Sequence, residues 1–298
     1  MGPFCVRGVL LVLLAASVGP IRGSDGVSEH MLVSTAWLAG HLADPSVVIL
    51  HVGSQEDYAA GHIPGARLLR LADISVTGDG GLTLELPSVS LLQQAFGKVG
   101  ISHDSRVIVY PATESVQAAT RVWFTLDYLG LGDRASLLDG GLQAWRASGN
   151  PLSTDTPVVE AAEVKTLARQ GRVVDAEWVQ AHLRDTEVAL LDARAAEFYT
   201  GENAGRMPRA GHIPGARNLP FTSLFDENRK LLSADSLREL MGARGVTQGK
   251  LMVSYCHIGQ QATVLYFVAR YLGFDARLYD GSFQDWSNRL AFPIETGP

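Results

Sequence analysis

The sequence predicts an α/β protein of two tandem domains, each a mostly parallel sheet with helices on both faces. Three observations lead there. The seven residues GHIPGAR occur twice, at 61–67 and 211–217, an offset of 150. In both halves short β-branched runs alternate with amphipathic segments, and alternating βα units imply a parallel sheet. Between the halves, NPLSTDTPVVEAAEVKTLARQ (150–170) has the prolines and small polar residues of a linker.

The chain opens unlike the rest of itself. MGPFCVR carries Arg7, and VLLVLLAASV then runs ten residues without a charge. That is too short to span a bilayer and suits the apolar core of a secretory signal, so residues 1–23 are expected to be a signal peptide. A buried first strand or helix is the alternative. Small residues from Ala15 to Gly19, or Gly23, could support cleavage. The expected location is therefore outside the cytoplasm, periplasmic or secreted, with no stable membrane span in the mature chain. Cys5 would leave with the leader, and it stands at the wrong end of the apolar core for a lipid anchor. Cys256 would then be the mature protein's one cysteine, which in an oxidising compartment is either an inert filler or a reactive thiol.

The first domain is expected over 24–149 and the second over 171–298. AWLAGHLAD (36–44) matches EWVQAHLRD (177–185) at an offset of 141, and the strand runs VVILHV (47–52) and VALLDA (188–193) follow at the same offset. Nine extra residues within TGENAGRMPRA, just before the second GHIPGAR, account for the change of offset to 150. RVIVY (106–110) and LMVSY (251–255) are continuous apolar runs, as expected of strands buried on both faces. WFTLDYLG and VLYFVARYLG read as helices ending at glycine. LLDGGLQAW (137–145) pairs with LYDGSFQDW (278–286), again at 141. The period is too long for a solenoid, so this is a duplication.

Composition narrows the function. Hydrophobic residues at 46% and charged residues at 19% exclude disorder. A formal net charge of -6 with no run of lysine or arginine makes nucleic acid and acidic membrane surfaces poor candidates for partners, and no nucleic-acid partner is expected.

Residues shared by the halves serve the fold, and residues in one half alone are candidates for chemistry. His62 and His212, inside GHIPGAR, are expected to hold a turn, since the motif lacks the partners of a metal site. His41, His182, Trp37, Trp178, Trp145 and Trp286 likewise read as packing residues. Two places differ. At the end of one strand the first half has His51-Val52-Gly53 where the second has Asp192-Ala193-Arg194. After the middle strand the first half runs YPATESVQAAT and the second YCHIGQQAT, so Pro111 occupies the cysteine's place. Both differences lie at carboxyl ends of strands, the edge where open parallel sheets bind ligands. A strand-to-helix turn bent at Gly259, with Ala262-Thr263 starting the helix, would aim backbone N–H groups at the sulfur and favour a thiolate near neutral pH.

Cys256-His257-Ile258-Gly259-Gln260-Gln261, GHIPGA and the DGG/DGS-x-x-x-W segments together resemble the rhodanese family of tandem-domain sulfurtransferases, across nearly the whole mature chain. The resemblance implies two tandem rhodanese-like domains, the second catalytic. It implies a ping-pong reaction in which Cys256 takes the outer sulfur of thiosulfate as a persulfide and passes it to cyanide or a thiol, with no metal or organic cofactor. Backbone N–H groups from His257 to Thr263, through Ile258, Gly259, Gln260, Gln261 and Ala262, would cradle the persulfide. Asp192 and Arg194 match the family's Asp-x-Arg pair, which braces the loop and adds positive potential.

His257 and Ile258 fit neither the basic residues of thiosulfate-using relatives nor the small ones of mercaptopyruvate-using relatives. Phe198 stands where the family often has a further arginine. Arg206, Arg209 or a protonated His257 could supply the missing charge. Mercaptopyruvate as donor, or a carrier loaded by one dedicated protein, are the alternatives. A cysteine phosphatase would want an arginine six residues after the nucleophile, where this chain has Ala262.

Overall fold

The structure is a computed structural model that describes residues 1–2 and 26–298. The expected leader, with Cys5, lies outside the described residues. In the first half the elements run β1 (Leu32–Val33), α1 (Thr35–Gly40), β2 (Val47–Val52), α2 (Gln55–Ala60), β3 (Arg67–Leu69), α3 (Val89–Lys98), β4 (Arg106–Pro111), α4 (Val116–Tyr128), β5 (Ala135–Leu138) and α5 (Gly141–Ala147). The second half repeats them as β6 (Val173–Val174), α6 (Ala176–Ala181), β7 (Val188–Asp192), α7 (Ala196–Thr200), β8 (Arg217–Asn218), α8 (Ala234–Gly242), β9 (Leu251–Tyr255), α9 (Ala262–Tyr271), β10 (Asp275–Tyr279) and α10 (Ser282–Asn288).

Each half holds a five-stranded, all-parallel sheet, ordered β1-β5-β4-β2-β3 and β6-β10-β9-β7-β8. The central strands β4 and β9 are buried on both faces, which is why their sequences are mostly apolar, and the buried Ser254 in β9 donates its hydroxyl to the Ala262 carbonyl. Local chemistry starts the helices at matching points. Ser34 accepts the N–H of Trp37 at the start of α1, and Asp175 accepts that of Trp178 at the start of α6. Past α4 and α9 the chain turns at Gly130 and Gly273, whose φ values of 86° and 83° suit glycine.

The repeated histidines hold turns. His62 stacks on Tyr58 with centroids 3.7 Å apart and places its ring nitrogens on the Tyr58 and Asp155 carbonyls. His212 stacks on Tyr199 in the same way and bonds its carbonyl. Residues 150–169 contain neither helix nor strand, yet they are tied down. Ser153 pairs with His62, Ala162 N–H donates to Gly97 and Arg169 N–H to Tyr128.

The halves meet chiefly through α4 and α9. Phe267 stands edge-on to Trp123 at 4.9 Å and Tyr266 edge-on to Phe124 at 4.8 Å, pairs worth roughly 0.5–1.5 kcal/mol each beyond their burial. Two buried polar links cross the same seam: Thr120 Oγ1 to Thr263 Oγ1 at 2.8 Å, and Tyr266 Oη to Asp127 Oδ2 at 2.6 Å. Arg169 also pairs with Asp127, at 3.1 Å. Removing the Tyr266 hydroxyl leaves a buried carboxylate oxygen short of its best donor. Tyr266→Phe is therefore expected to destabilise the protein by about 1–3 kcal/mol, as measured by urea unfolding. The two halves should still unfold in one transition, because the apolar packing of α4 on α9 remains.

Candidate active site

Strand order dictates where chemistry can gather. From β7 the chain moves outward to β8, then returns to β9 and continues the other way to β10. The connections therefore diverge between β7 and β9, and a crevice opens at the carboxyl ends of those strands. Register places Asp192 beside Tyr255, so Cys256 follows directly at the crevice.

The cysteine loop is held by a closed set of backbone bonds. Cys256 N–H donates to Ser282 Oγ at 3.1 Å, while the Cys256 and His257 carbonyls accept the N–H groups of Phe283 and Gln284, each at 2.9 Å. Gly259 has φ +75°, and a Cβ there would lie 2.6 Å from the Asp280 carbonyl oxygen. Only glycine lets the loop lie this close to Asp280. Thr263 Oγ1 ties the loop's far end to the Gln260 carbonyl at 2.7 Å.

The sulfur receives hydrogen bonds from the backbone N–H groups of Ala262, Ile258 and Gln261, and each favours the thiolate. Burial opposes them and prevails. Cys256 has no exposed surface, and its thiol is pushed above 9.0. This corrects the expectation of a thiol already ionised near neutrality. The turn supplies the dipoles, but the closed site withholds the solvent that would otherwise support the charge.

Asp192 and Arg194 are both buried, the arginine 1% exposed. Arg194 Nη2 lies 2.6 Å from Asp192 Oδ2, Nε bonds both carboxylate oxygens, and Nη2 also reaches the Gly211 carbonyl at 2.8 Å. The guanidinium covers the Phe283 ring at 4.1 Å, the residue whose N–H holds the Cys256 carbonyl. The pair thus braces the loop from behind through Phe283. Its positive charge is largely matched by Asp192.

The three candidates for an extra charge separate. Arg209 spends its guanidinium on four backbone carbonyls, those of Ser287, Trp286, Arg289 and Phe292, at 2.8–2.9 Å. It ties down the end of α10, so the substrate-binding role expected for Arg209 is not what its geometry provides. His257 stands edge-on to Phe198 at 4.6 Å; burial first, then the Arg194 guanidinium, pushes it below 6.5, so near neutral pH it carries little charge. Arg206 is exposed and has no hydrogen bond or ion pair among the described residues. Its neighbour Gly205 lies against Phe198 and His257: a Cβ there would sit 3.2 Å from the Phe198 ring and 3.8 Å from His257 Nε2. The nine-residue insertion therefore reaches the cysteine loop.

Sequence reasoning missed Ser282. It sits at φ +53°, a conformation few side chains adopt, and its hydroxyl accepts the Cys256 N–H while donating to the Tyr279 carbonyl. The matching residue in the first half is Gly141, φ +56°, where a Cβ would crowd the Pro111 ring at 3.0 Å. Pro111 has no N–H to offer, so no hydroxyl is needed there. The signal was the contrast of DGG with DGS. Removing the hydroxyl from Ser282 leaves the buried Cys256 N–H unpaired and keeps the backbone strain. Ser282→Ala is expected to cost about 1–3 kcal/mol in urea unfolding, and Ser282→Gly less, because glycine relieves the strain.

A family model described as "Rhodanese-like domain" matches the chain twice, at residues 34–148 and 175–289. The sulfur carrier protein TtuD of Thermus thermophilus is 33% identical over 285 residues, covering 90% of this chain and 97% of its own. A probable 3-mercaptopyruvate sulfurtransferase of Pseudomonas aeruginosa is also 33% identical over 285 residues, covering 91% of this chain and 100% of its own. The putative thiosulfate sulfurtransferase SseB of Mycobacterium tuberculosis is 31% identical over 300 residues, covering 98% of each.

Proposed function

The chain belongs to the rhodanese family of sulfurtransferases, and on that premise we propose that it takes sulfane sulfur from thiosulfate, holds it on Cys256 as a persulfide, and passes it to cyanide or a thiol. One observation carries the reading. The free cysteine of the described residues stands at the sheet's switch point with three N–H groups on its sulfur.

The chemistry balances in two displacements. The Cys256 thiolate attacks the outer sulfur of thiosulfate; a new S–S bond forms, and the old one breaks with its electron pair leaving on sulfite. Cyanide then attacks the outer persulfide sulfur, thiocyanate departs, and the thiolate returns. Negative charge rests on the Cys256 sulfur before the first step and after the second. The N–H groups of Ile258, Gln261 and Ala262 are placed to receive it without reorganisation.

Burial of the sulfur supports a small donor over a protein donor. With no exposed surface, the Cys256 thiol is reached by either kind of donor only when the loop opens, and a small anion needs a smaller opening than a folded protein does. Arg206, exposed on the insertion next to Gly205, which lies against His257, supports an anionic donor and is the cation we assign to its capture. The uncharged leader stretch supports the further reading that the protein works outside the cytoplasm.

The decisive measurement is intact mass after incubation with thiosulfate. The unmutated protein is expected to gain one sulfur atom, which cyanide removes as thiocyanate; Cys256→Ser gains none. Sulfur gained from mercaptopyruvate alone would replace the donor, and no gain from either would leave a carrier with a dedicated protein donor. Because burial holds the thiol high, loading should accelerate roughly tenfold per pH unit from neutrality until the thiol ionises. Arg206→Ala should raise KM for thiosulfate roughly three- to tenfold with little change in kcat, the pattern of a lost binding contact.

A further inference from the structure

A buried charged cluster joins the cysteine loop to the opposite half. Arg121, on α4, is 1% exposed. Its guanidinium binds the Asp280 carboxylate and the Leu84 carbonyl, and Nη1 lies 3.3 Å from the Gly259 carbonyl in the cysteine loop. Asp280 returns to the first half by accepting the Leu86 N–H at 3.0 Å. Between these two anchors stands Glu85. Leu84, just before it, has φ +62°, a strained conformation for leucine at the residue whose carbonyl meets Arg121. Glu85 Oε1 and Arg121 Nε are buried with no hydrogen-bond partner among the described residues.

We propose that Arg121 and Glu85, both from the half without the catalytic cysteine, form a proton-linked clasp on the sulfur-carrying loop. Arg121 is a positioning residue that shapes the loop through the Gly259 carbonyl, and the ionisation of Glu85 decides how firmly that grip is held. The inference rests on the reading of Cys256 as the sulfur carrier.

Charge balance supplies the mechanism. With Glu85 neutral, Arg121 faces Asp280 as one cation to one anion. Ionised Glu85 adds a second carboxylate to the same buried guanidinium and draws it away from Gly259 and Asp280. The other groups facing this cluster do not cancel the surplus. Asp285, on α10, adds negative charge but is bound by Arg289 and the Tyr279 hydroxyl, and Tyr128, on α4, is neutral. Burial, then Asp280, raises the Glu85 carboxyl from 4.5 to about 7, against the pull of Arg121. Because the folded protein holds this proton more tightly than the unfolded chain, the stabilising contribution is full below 4.5 and is lost as pH rises to about 7.

The test follows alkylation of Cys256 by iodoacetamide, read by intact mass, in the wild type, Glu85→Gln and Arg121→Lys from about pH 5.5 to about pH 8.5. The ratio of wild-type to Glu85→Gln rates cancels the thiol's own titration. It is expected to be near unity at the acid end and to rise about threefold or more across a midpoint of about 7, as the loop loosens in the wild type alone. A ratio that stays flat overturns the proposal. Arg121→Lys cannot reach Asp280, Gly259 and Leu84 with one nitrogen. It should alkylate fast at every pH relative to Glu85→Gln, and a wild-type profile would overturn the positioning role. Glu85→Gln is nearly isosteric and decides the matter even if the lysine variant folds poorly. Thiosulfate loading is measured on the same samples. Absent loading with a rising ratio removes the donor reading and keeps the clasp, while normal loading with a flat ratio does the reverse.

Discussion

Six residues, Cys256 to Gln261, carry the chain from the end of β9 into α9, and two of their backbone N–H groups join that of Ala262, the first residue of α9, on one sulfur. Everything around the site serves that turn. Gly259 must be glycine to lie against Asp280, and Ser282 accepts a left-handed backbone so that its hydroxyl can take the Cys256 N–H. Asp192 and Arg194 support Phe283 from behind. A chain of hydrogen bonds this complete, inside a site closed to solvent, keeps the dipoles aligned before any charge appears. Its cost is a thiol held in its neutral form at rest.

The half without the cysteine shows what happens when that turn is no longer required. Pro111 removes the donor and Gly141 the acceptor, so the two changes belong together. His51 and Gly53 replace Asp192 and Arg194. Burial pushes His51 down to about 4, so a neutral ring bonded to Tyr110 Oη at 2.9 Å stands where the other half keeps an ion pair. The scaffold survives unchanged because its own requirements, the buried central strand and the histidine-held turn, are met by the residues both halves share.

The half without the cysteine also touches the cysteine loop. Arg121 and the segment Thr83–Leu86 lie against the cysteine loop and α10, where Gln284 accepts the N–H and hydroxyl of Thr83. The mirror arrangement on the other side is weaker. Leu231 N–H reaches Asp139, but Val264 stands where Arg121 would be, and Arg229 pairs instead with Glu114. Duplication thus provides two similar seams, and among the described residues only one of them holds a cation at a carbonyl of the cysteine loop.

Comparison of the two copies was enough to locate the fold and the cysteine. Helix and strand periods, the repeated GHIPGAR and the continuous apolar runs are local patterns, and local patterns survive in a linear chain. So did the contrast of Pro111 with Cys256, because it falls at a strand end whose position the repeat marks. The role of Arg209 was not legible, since what an arginine does depends on the carbonyls it meets, and those of Arg209 lie about eighty residues away. Nor was the protonation of Cys256, His257 or Glu85, where burial competes with dipoles and charges arriving from several elements at once. Desolvation and long-range hydrogen bonding come into being only when the chain is packed, so only the tertiary structure decided them.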